Sequence, residues 1–347
     1  MNKPRIHTMK ELSKTIAISR PTLARYFEDE TSVLPSTAKK IKERLSEVDY
    51  VYNFLATRQN RKSTGLIGVV IPHFEDLFFA SLLESIEAAA RAAGFTIITQ
   101  SSHGDVVSEE QAIHKLRSMN VDGAIVAPLG RDGTLEAFEA ASEDFPIVFA
   151  DSYPGAHLPN ADFVGTDNTS SVGVMVDYLC RTGAAPAFLA MPQLNSNALD
   201  RQNAYFEQMK KQGHKGVLIE TPDRMESWQF EQYGLEVMDD HFSHGRYVTD
   251  TILCANDRIA FGAIRAANTH GLFFDQDGKT RGALRIAGHD DHPLSRYIFP
   301  ALTTVAQEVT EIGRDTVALL SKRLRDGRDG DGIKMLRDGA LRIRESA

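Results

Sequence analysis

At 347 residues, 42% hydrophobic and 25% charged with no low-complexity tract, the chain is sized for two or three packed units rather than one small core. No run approaches the roughly 20 apolar residues that span a bilayer. The opening Met-Asn-Lys-Pro-Arg-Ile-His has no secretory apolar stretch, and Cys180 and Cys254, each in an apolar run, fit free thiols in a cytoplasmic protein, not a disulfide framework.

The net charge of −8 is unevenly spread: residues 1–62 hold 13 Lys+Arg against 7 Asp+Glu, and the remainder 26 against 40. A basic head on an acidic body suits nucleic-acid contact confined to one end.

In residues 8–27, Thr8 and Glu11 have the spacing of a capping box. Ser19 gives a second helix start, with Pro21 tolerated in a first turn that has no N–H partners to lose. Only Ile16-Ala17-Ile18 separates the two helices, the spacing of a helix-turn-helix whose second helix enters the DNA major groove. Arg20 and Arg25 are placed to reach bases or phosphates, while Leu23 and Phe27 face inward. Residues 35–47 predict a third helix with Ala38, Ile41 and Leu45 on one face. A short helix capped by Asn53 and a basic linker to residue 64 follow.

From Leu66 the texture changes to strand–helix alternation. Strands are predicted at 66–71, 95–99, 123–127 and 146–150, with helices between. After Asp167 the alternation resumes with strands at 186–191, 216–220, 251–255 and 284–288. This pattern predicts two doubly wound parallel-sheet subdomains with a cleft between them. Residues 302–306 and 308–325 predict one more strand and helix that cross back. The expected domains are therefore 1–52, a 53–64 hinge, and 65–347, with one subdomain about 65–165 and 291–328 and the other about 166–290 and 329–347. Ligands of open α/β sheets sit beyond the carboxyl ends of the strands. There the sequence places aromatics, carboxylates, amides and one Arg, a set suited to a hydroxyl-rich small molecule.

Five motifs in order resemble the LacI/GalR family of bacterial transcription regulators over essentially the whole chain. They are Ile-Ser-Arg-Pro-Thr-Leu-Ala-Arg (18–25), Ile67-Gly68-Val69, Val-Asp-Gly-Ala-Ile (121–125), Ala-Asn-Asp-Arg-Ile-Ala-Phe-Gly (255–262), and Ala-Gly-His-Asp-Asp (287–291) followed by Pro-Ala-Leu-Thr-Thr (300–304). The resemblance implies an all-α helix-turn-helix head on a periplasmic-binding-protein-like α/β sensor core. It also implies a homodimer on a pseudo-palindromic operator and a small effector in the cleft: a sugar, polyol or sugar acid. Base reading falls to Arg20 and Pro21, with Thr8, Ser19, Thr22 and Arg25 beside them and Asn53, Thr57, Arg58 and Gln59 in the hinge. Effector contact falls to Phe78, Phe79, Asp151, Asn195, Asn197, Arg201, Asn256 and Asp290. Trp228 lies one residue off a stacking position and stays outside this set. Three departures stand out: Ala17 where the turn usually has Gly, Tyr52 in place of a Pro, and Gln59 where an apolar Leu usually wedges into the minor groove.

His289-Asp-Asp-His292 has metal-ligand residue types but no neighbouring Cys or third His, so no metal is expected. No nucleophile elbow, Walker loop or Gly-rich dinucleotide loop is present, and neither catalysis nor a cofactor is expected. The expected function is a cytoplasmic, effector-controlled DNA-binding regulator of the repressor type. The alternative is a soluble sugar-binding protein or carbohydrate-converting enzyme on the same scaffold.

Overall fold

The computed structural model describes all residues except 1–2, 53–62, 131–133, 156–157, 159–160, 222–227, 275–281 and 328–329. Asn53, Thr57, Arg58 and Gln59 lie outside the described residues. The chain forms two compact units, Met1–Thr64 and Gly65–Ala347.

In the first unit, helix α1 (Met9–Thr15) starts at the capping box, with Glu11 N–H donating to Thr8 Oγ1 at 3.2 Å and Thr8 N–H to Glu11 Oε2 at 3.3 Å. Helix α2 (Arg20–Glu28) is capped by Ser19, which accepts from Thr22 N–H at 3.3 Å. The turn between them places Ala17 at φ 49°, a left-handed backbone that costs an L-residue energy. Arg44 on helix α3 (Pro35–Leu45) closes this turn from the other side by donating to the Ile16 carbonyl. Leu12, Leu23 and Ile41 are fully buried and Phe27 packs on them, its ring stacked 4.6 Å from Tyr52. A short parallel pair, β1 (Arg5–Ile6) with β2 (Asp49–Tyr50), ties the two ends of this unit together.

The second unit holds two parallel sheets. In the first, the buried apolar run β3 (Leu66–Ile71) pairs with β4 (Thr96–Ser101) and β5 (Gly123–Val126). The sheet continues through β6 (Ile147–Ala150), β7 (Asp162–Thr166) and β12 (Lys334–Arg337), in the order β12-β7-β6-β5-β3-β4. Gly68 and Gly123 let Leu116 and Leu320 from covering helices press on the sheet, since a Cβ would come within 2.3 and 2.8 Å of them. The second sheet is β10-β9-β8, formed by Arg285–Ala287, Thr251–Cys254 and Ala187–Leu189. A cis peptide precedes Pro300, and β11 (Thr304–Ala306) pairs antiparallel with β13 (Ala340–Arg342).

The structure departs from the sequence expectation at four places. The predicted strand at 216–220 reduces to one bridge, Phe188 with Leu218. Strand β7 was not anticipated. Residues 334–337, expected with the second subdomain, extend the first sheet, because β12 runs parallel beside β7. Leu302 and Val305, expected with the first, pack into the core of the second.

Candidate functional site

All eight residues expected to touch an effector line one cleft in the second unit, together with Asp76, Met191, Trp228, Phe230, Arg258, His292 and Gln307. Strand ends and helix starts supply them. Asp76 caps the helix Leu77–Ala92 by accepting from Phe78 N–H at 2.9 Å, and Asn256 caps the helix Asp257–Thr269 by accepting from Ile259 N–H at 2.8 Å. Both Asp151 (φ 64°) and Asp290 (φ 126°) sit in left-handed backbone, a strain that concentrates at functional sites.

Arg201 organises the floor. Its Nη2 lies 3.0 Å from Asp290 Oδ1, Nη1 donates to the Ala255 carbonyl at 2.8 Å, and Nε donates to Asn168 Oδ1 at 3.1 Å. Asn168 donates to Asn197, which in turn donates to Asp151 Oδ2 at 3.2 Å. Gln307 Nε2 donates to Asp290 Oδ1 at 2.7 Å and its carbonyl accepts from Thr166. His289 bridges Asp290 Oδ1 at 3.0 Å and Ser171 Oγ at 2.9 Å.

Burial pushes the Asp151 carboxyl up to about 7, aided by the Asp290 charge and opposed by Arg201. Burial acts the same way on Asp290, but Arg201 and the bonds from His289 and Gln307 outweigh it and leave its pKa lowered. Burial, helped by Arg201, pushes His289 down to about 4, so its ring is neutral at pH 7. Asp257, also raised to about 7 by burial and the Asp290 charge, accepts from Thr304 Oγ1, Ser295 Oγ and the His292 N–H. Behind the cleft it therefore pins the helix start, the 289–295 loop and β11 to one another.

Above the floor, Arg258 Nη1 pairs with Asp76 Oδ2 at 2.9 Å, while its Nε and Nη2 donate to both oxygens of Glu231 at 2.7 and 2.8 Å. Two glycines make this possible. A Cβ on Gly262 would meet the Glu231 carbonyl at 2.0 Å, and one on Gly234 the Ile259 carbonyl at 2.2 Å, so the helices Phe230–Ser243 and Asp257–Thr269 touch backbone to backbone. Trp228 packs against Gly104, where a Cβ would fall 2.0 Å from Nε1, and its ring lies 5.3 Å from His73, 6.3 Å from Phe79 and 5.5 Å from Phe230.

In the head, Arg20, Pro21 and Arg25 are exposed on α2, whereas the oxygens of Thr8 and Ser19 are engaged as caps. Asn256, expected to touch the effector, has its oxygen committed to the cap and its Nδ2 facing Met191 Sδ at 3.8 Å. Sequence reasoning missed Asp76, Arg258 and Gln307. The one available signal for Gln307 was its position three residues past the Leu-Thr-Thr motif. Among the described residues no group of three or more His, Cys, Asp or Glu could hold a metal ion.

A helix-turn-helix unit and a two-sheet core with a polar cleft define a DNA reader joined to a ligand sensor of the periplasmic-binding type, and residues 67–329 match the periplasmic binding protein domain family. The chain belongs to the LacI/GalR family of bacterial transcription regulators. It is 24% identical to the ribose operon repressor of Halalkalibacterium halodurans, covering 91% of this chain and 90% of the relative. It is 25% identical to the transcriptional repressor CytR of Escherichia coli, covering 98% and 96%. Among solved structures, the Lac repressor dimer bound to operator and the anti-inducer ONPF superposes with a TM-score of 0.80 at 21% identity, covering 99% of both chains. The regulator CelR in complex with cellobiose gives 0.69 at 19%, covering 99% and 100%. Among the described residues, no helix is long and apolar enough to cross a membrane.

Proposed function

We propose that the protein is a cytoplasmic repressor whose grip on operator DNA is set by a small, hydroxyl-rich effector in the cleft. The single observation that carries the effector half is the gathering of Asp151, Asn195, Asn197, Arg201, Asn256 and Asp290 around one space walled by Phe78, Phe79 and Trp228. Polar groups fix the hydroxyls and rings cover the apolar faces of such a ligand. The ribose operon repressor relative and the cellobiose-bound regulator support a sugar or polyol.

The DNA half rests on Arg20, Pro21, Thr22 and Arg25 on the exposed face of α2, with Thr8 and Ser19 at the helix starts. Arg20 would donate to guanine O6 and N7. Asn53, Thr57, Arg58 and Gln59 would complete the contact at the minor groove. Two heads on one operator require a homodimer. The Lac repressor dimer supports this, as do the exposed apolar side chains of Leu294, Tyr297 and the stacked pair Phe274–Phe299. The effector acts only by preferring one cleft geometry, and coupling of 1–3 kcal/mol is typical of such linkage. The protein then works by binding rather than turnover.

Footprinting on the protein's own promoter region, with and without ligands found in a thermal-shift screen of sugars, polyols and nucleosides, tests the proposal. Protection over a two-fold-related site that a stabilising ligand relieves is the expected result. Absence of any protected site sinks it.

A further inference from the structure

The two guanidiniums facing the cleft are each paired with carboxylates of the protein and spend three of their five N–H groups there. Arg201, 5% exposed at its side chain, is held by Asp290, Asn168 and the Ala255 carbonyl. Arg258, 18% exposed, is held by Asp76 and by both oxygens of Glu231, with its Cζ 5.2 Å from the centroid of the Phe230 ring. Acceptor oxygens remain open beside them. The three bonds to the Asp290 carboxylate all fall on Oδ1, leaving Oδ2 as an acceptor. Asn197 occupies Oδ2 of Asp151 and leaves Oδ1. Asn195 Oδ1 is buried with no hydrogen-bond partner among the described residues. The cleft residues thus keep three acceptor oxygens, while both cations are already matched by carboxylates.

A hydroxyl answers such oxygens with its own proton. A carboxylate or phosphate has only acceptors to offer, and it would meet like charge in a partly dry cleft, where such juxtaposition is costly. We propose that the cleft selects an uncharged, hydroxyl-donating ligand, and that Asp76 is the specificity-determining residue that enforces this by holding Arg258 Nη1 away from the ligand. The inference rests on the cleft being the effector site and narrows the class by removing sugar acids and sugar phosphates. Asp76 also opens the helix Leu77–Ala92, so its charge masks a helix N-terminus that would otherwise favour an anion.

The test uses the full chain, with the emission of its one tryptophan, Trp228 in the cleft wall, and calorimetry as readouts. D-ribose, D-xylose and D-glucose are each titrated alongside their aldonate and their phosphate ester. The wild type is expected to bind one neutral sugar on the order of 100-fold more tightly than its anionic partners. Asp76→Asn keeps a good helix cap and removes the charge, and is expected to narrow that ratio by about 10-fold. Glu231→Gln, on a half-exposed carboxylate away from the cap, is expected to shift the ratio the same way. An aldonate or phosphate bound as tightly as its neutral sugar by the wild type overturns the proposal while leaving the effector site standing. So does a ratio unmoved in both variants. If no probe of either charge binds, the effector reading fails and takes the inference with it.

Discussion

Effector binding is expected to tighten as pH rises from about 5.5 to 8, and Asp151→Asn is expected to abolish that response. Burial pushes the Asp151 carboxyl up to about 7, so the carboxylate that would accept a ligand hydroxyl is a minority species in mild acid. If only the ionised form binds well, about 3% of the protein is competent at pH 5.5, an affinity loss of about 30-fold. Two neighbours stay constant across this window: His289 is already neutral, its pKa pushed down to about 4, and Asp290, its pKa lowered, is already charged. Asp257 is also raised to about 7, but its oxygens are engaged by Thr304, Ser295 and the His292 N–H, so Asp151→Asn separates the two. The empty protein follows the reverse course. A carboxyl whose folded pKa lies above its unfolded value contributes stability that is fully present below about 3.9 and lost as pH rises through about 7. A ligand should therefore raise the melting temperature more at pH 8 than at pH 5.5. Calorimetric titration and thermal shift at both pH values measure this. A wild-type affinity that is flat with pH, or a slope that persists in Asp151→Asn, refutes the reasoning.

Ala17→Gly should relieve the left-handed turn at φ 49° and stabilise the head by about 0.5–1 kcal/mol, net of glycine's entropy. Head-unfolding calorimetry of the full chain showing a loss instead would mean the turn is not strained. Arg20→Ala should lower operator affinity by about 1–3 kcal/mol and relax discrimination at one base pair. Gel shifts over operator variants at fixed salt check both, and a uniform loss across all sequences would reassign Arg20 to phosphate. Glu109, buried and accepting from Leu129 N–H, is pushed by burial up to about 7. Its stabilising contribution is complete below about 4.3 and disappears as pH climbs through 7. The wild type should therefore lose on the order of 3 kcal/mol relative to Glu109→Gln between pH 4.5 and 8. Denaturant midpoints that keep a constant gap across that range would contradict the burial argument.

The head and the cleft floor were legible because their signals are local. A capping box, a proline in a first turn and short motifs after strands each lie within a few residues of what they explain. Asp76, Arg258 and Glu231 were not: Asp76 meets Arg258 across 182 residues of chain, and Glu231 meets it through a helix–helix approach set by buried glycines. The same limit hid β12, since nothing in Lys334–Arg337 itself tells that Phe163–Thr166 awaits a neighbour. Trp228 falls one residue from its expected place, yet its ring still reaches the cleft, because ring size tolerates a shift that a hydrogen bond would not.

Asp257 and its partners Thr304, Ser295 and the His292 N–H hold the 289–295 loop of the cleft from behind, and His289 with Ser171 props Asp290 from the side. None of these bonds needs a ligand. The wall residues Phe78, Phe79, Trp228 and Asn195 take no part in these bonds. Such a division lets a lineage change what it senses while keeping the same hinge, head and operator. Retuning by a few substitutions in the wall is then an accessible route to a sensor for another small molecule, and directed evolution of this chain should begin there.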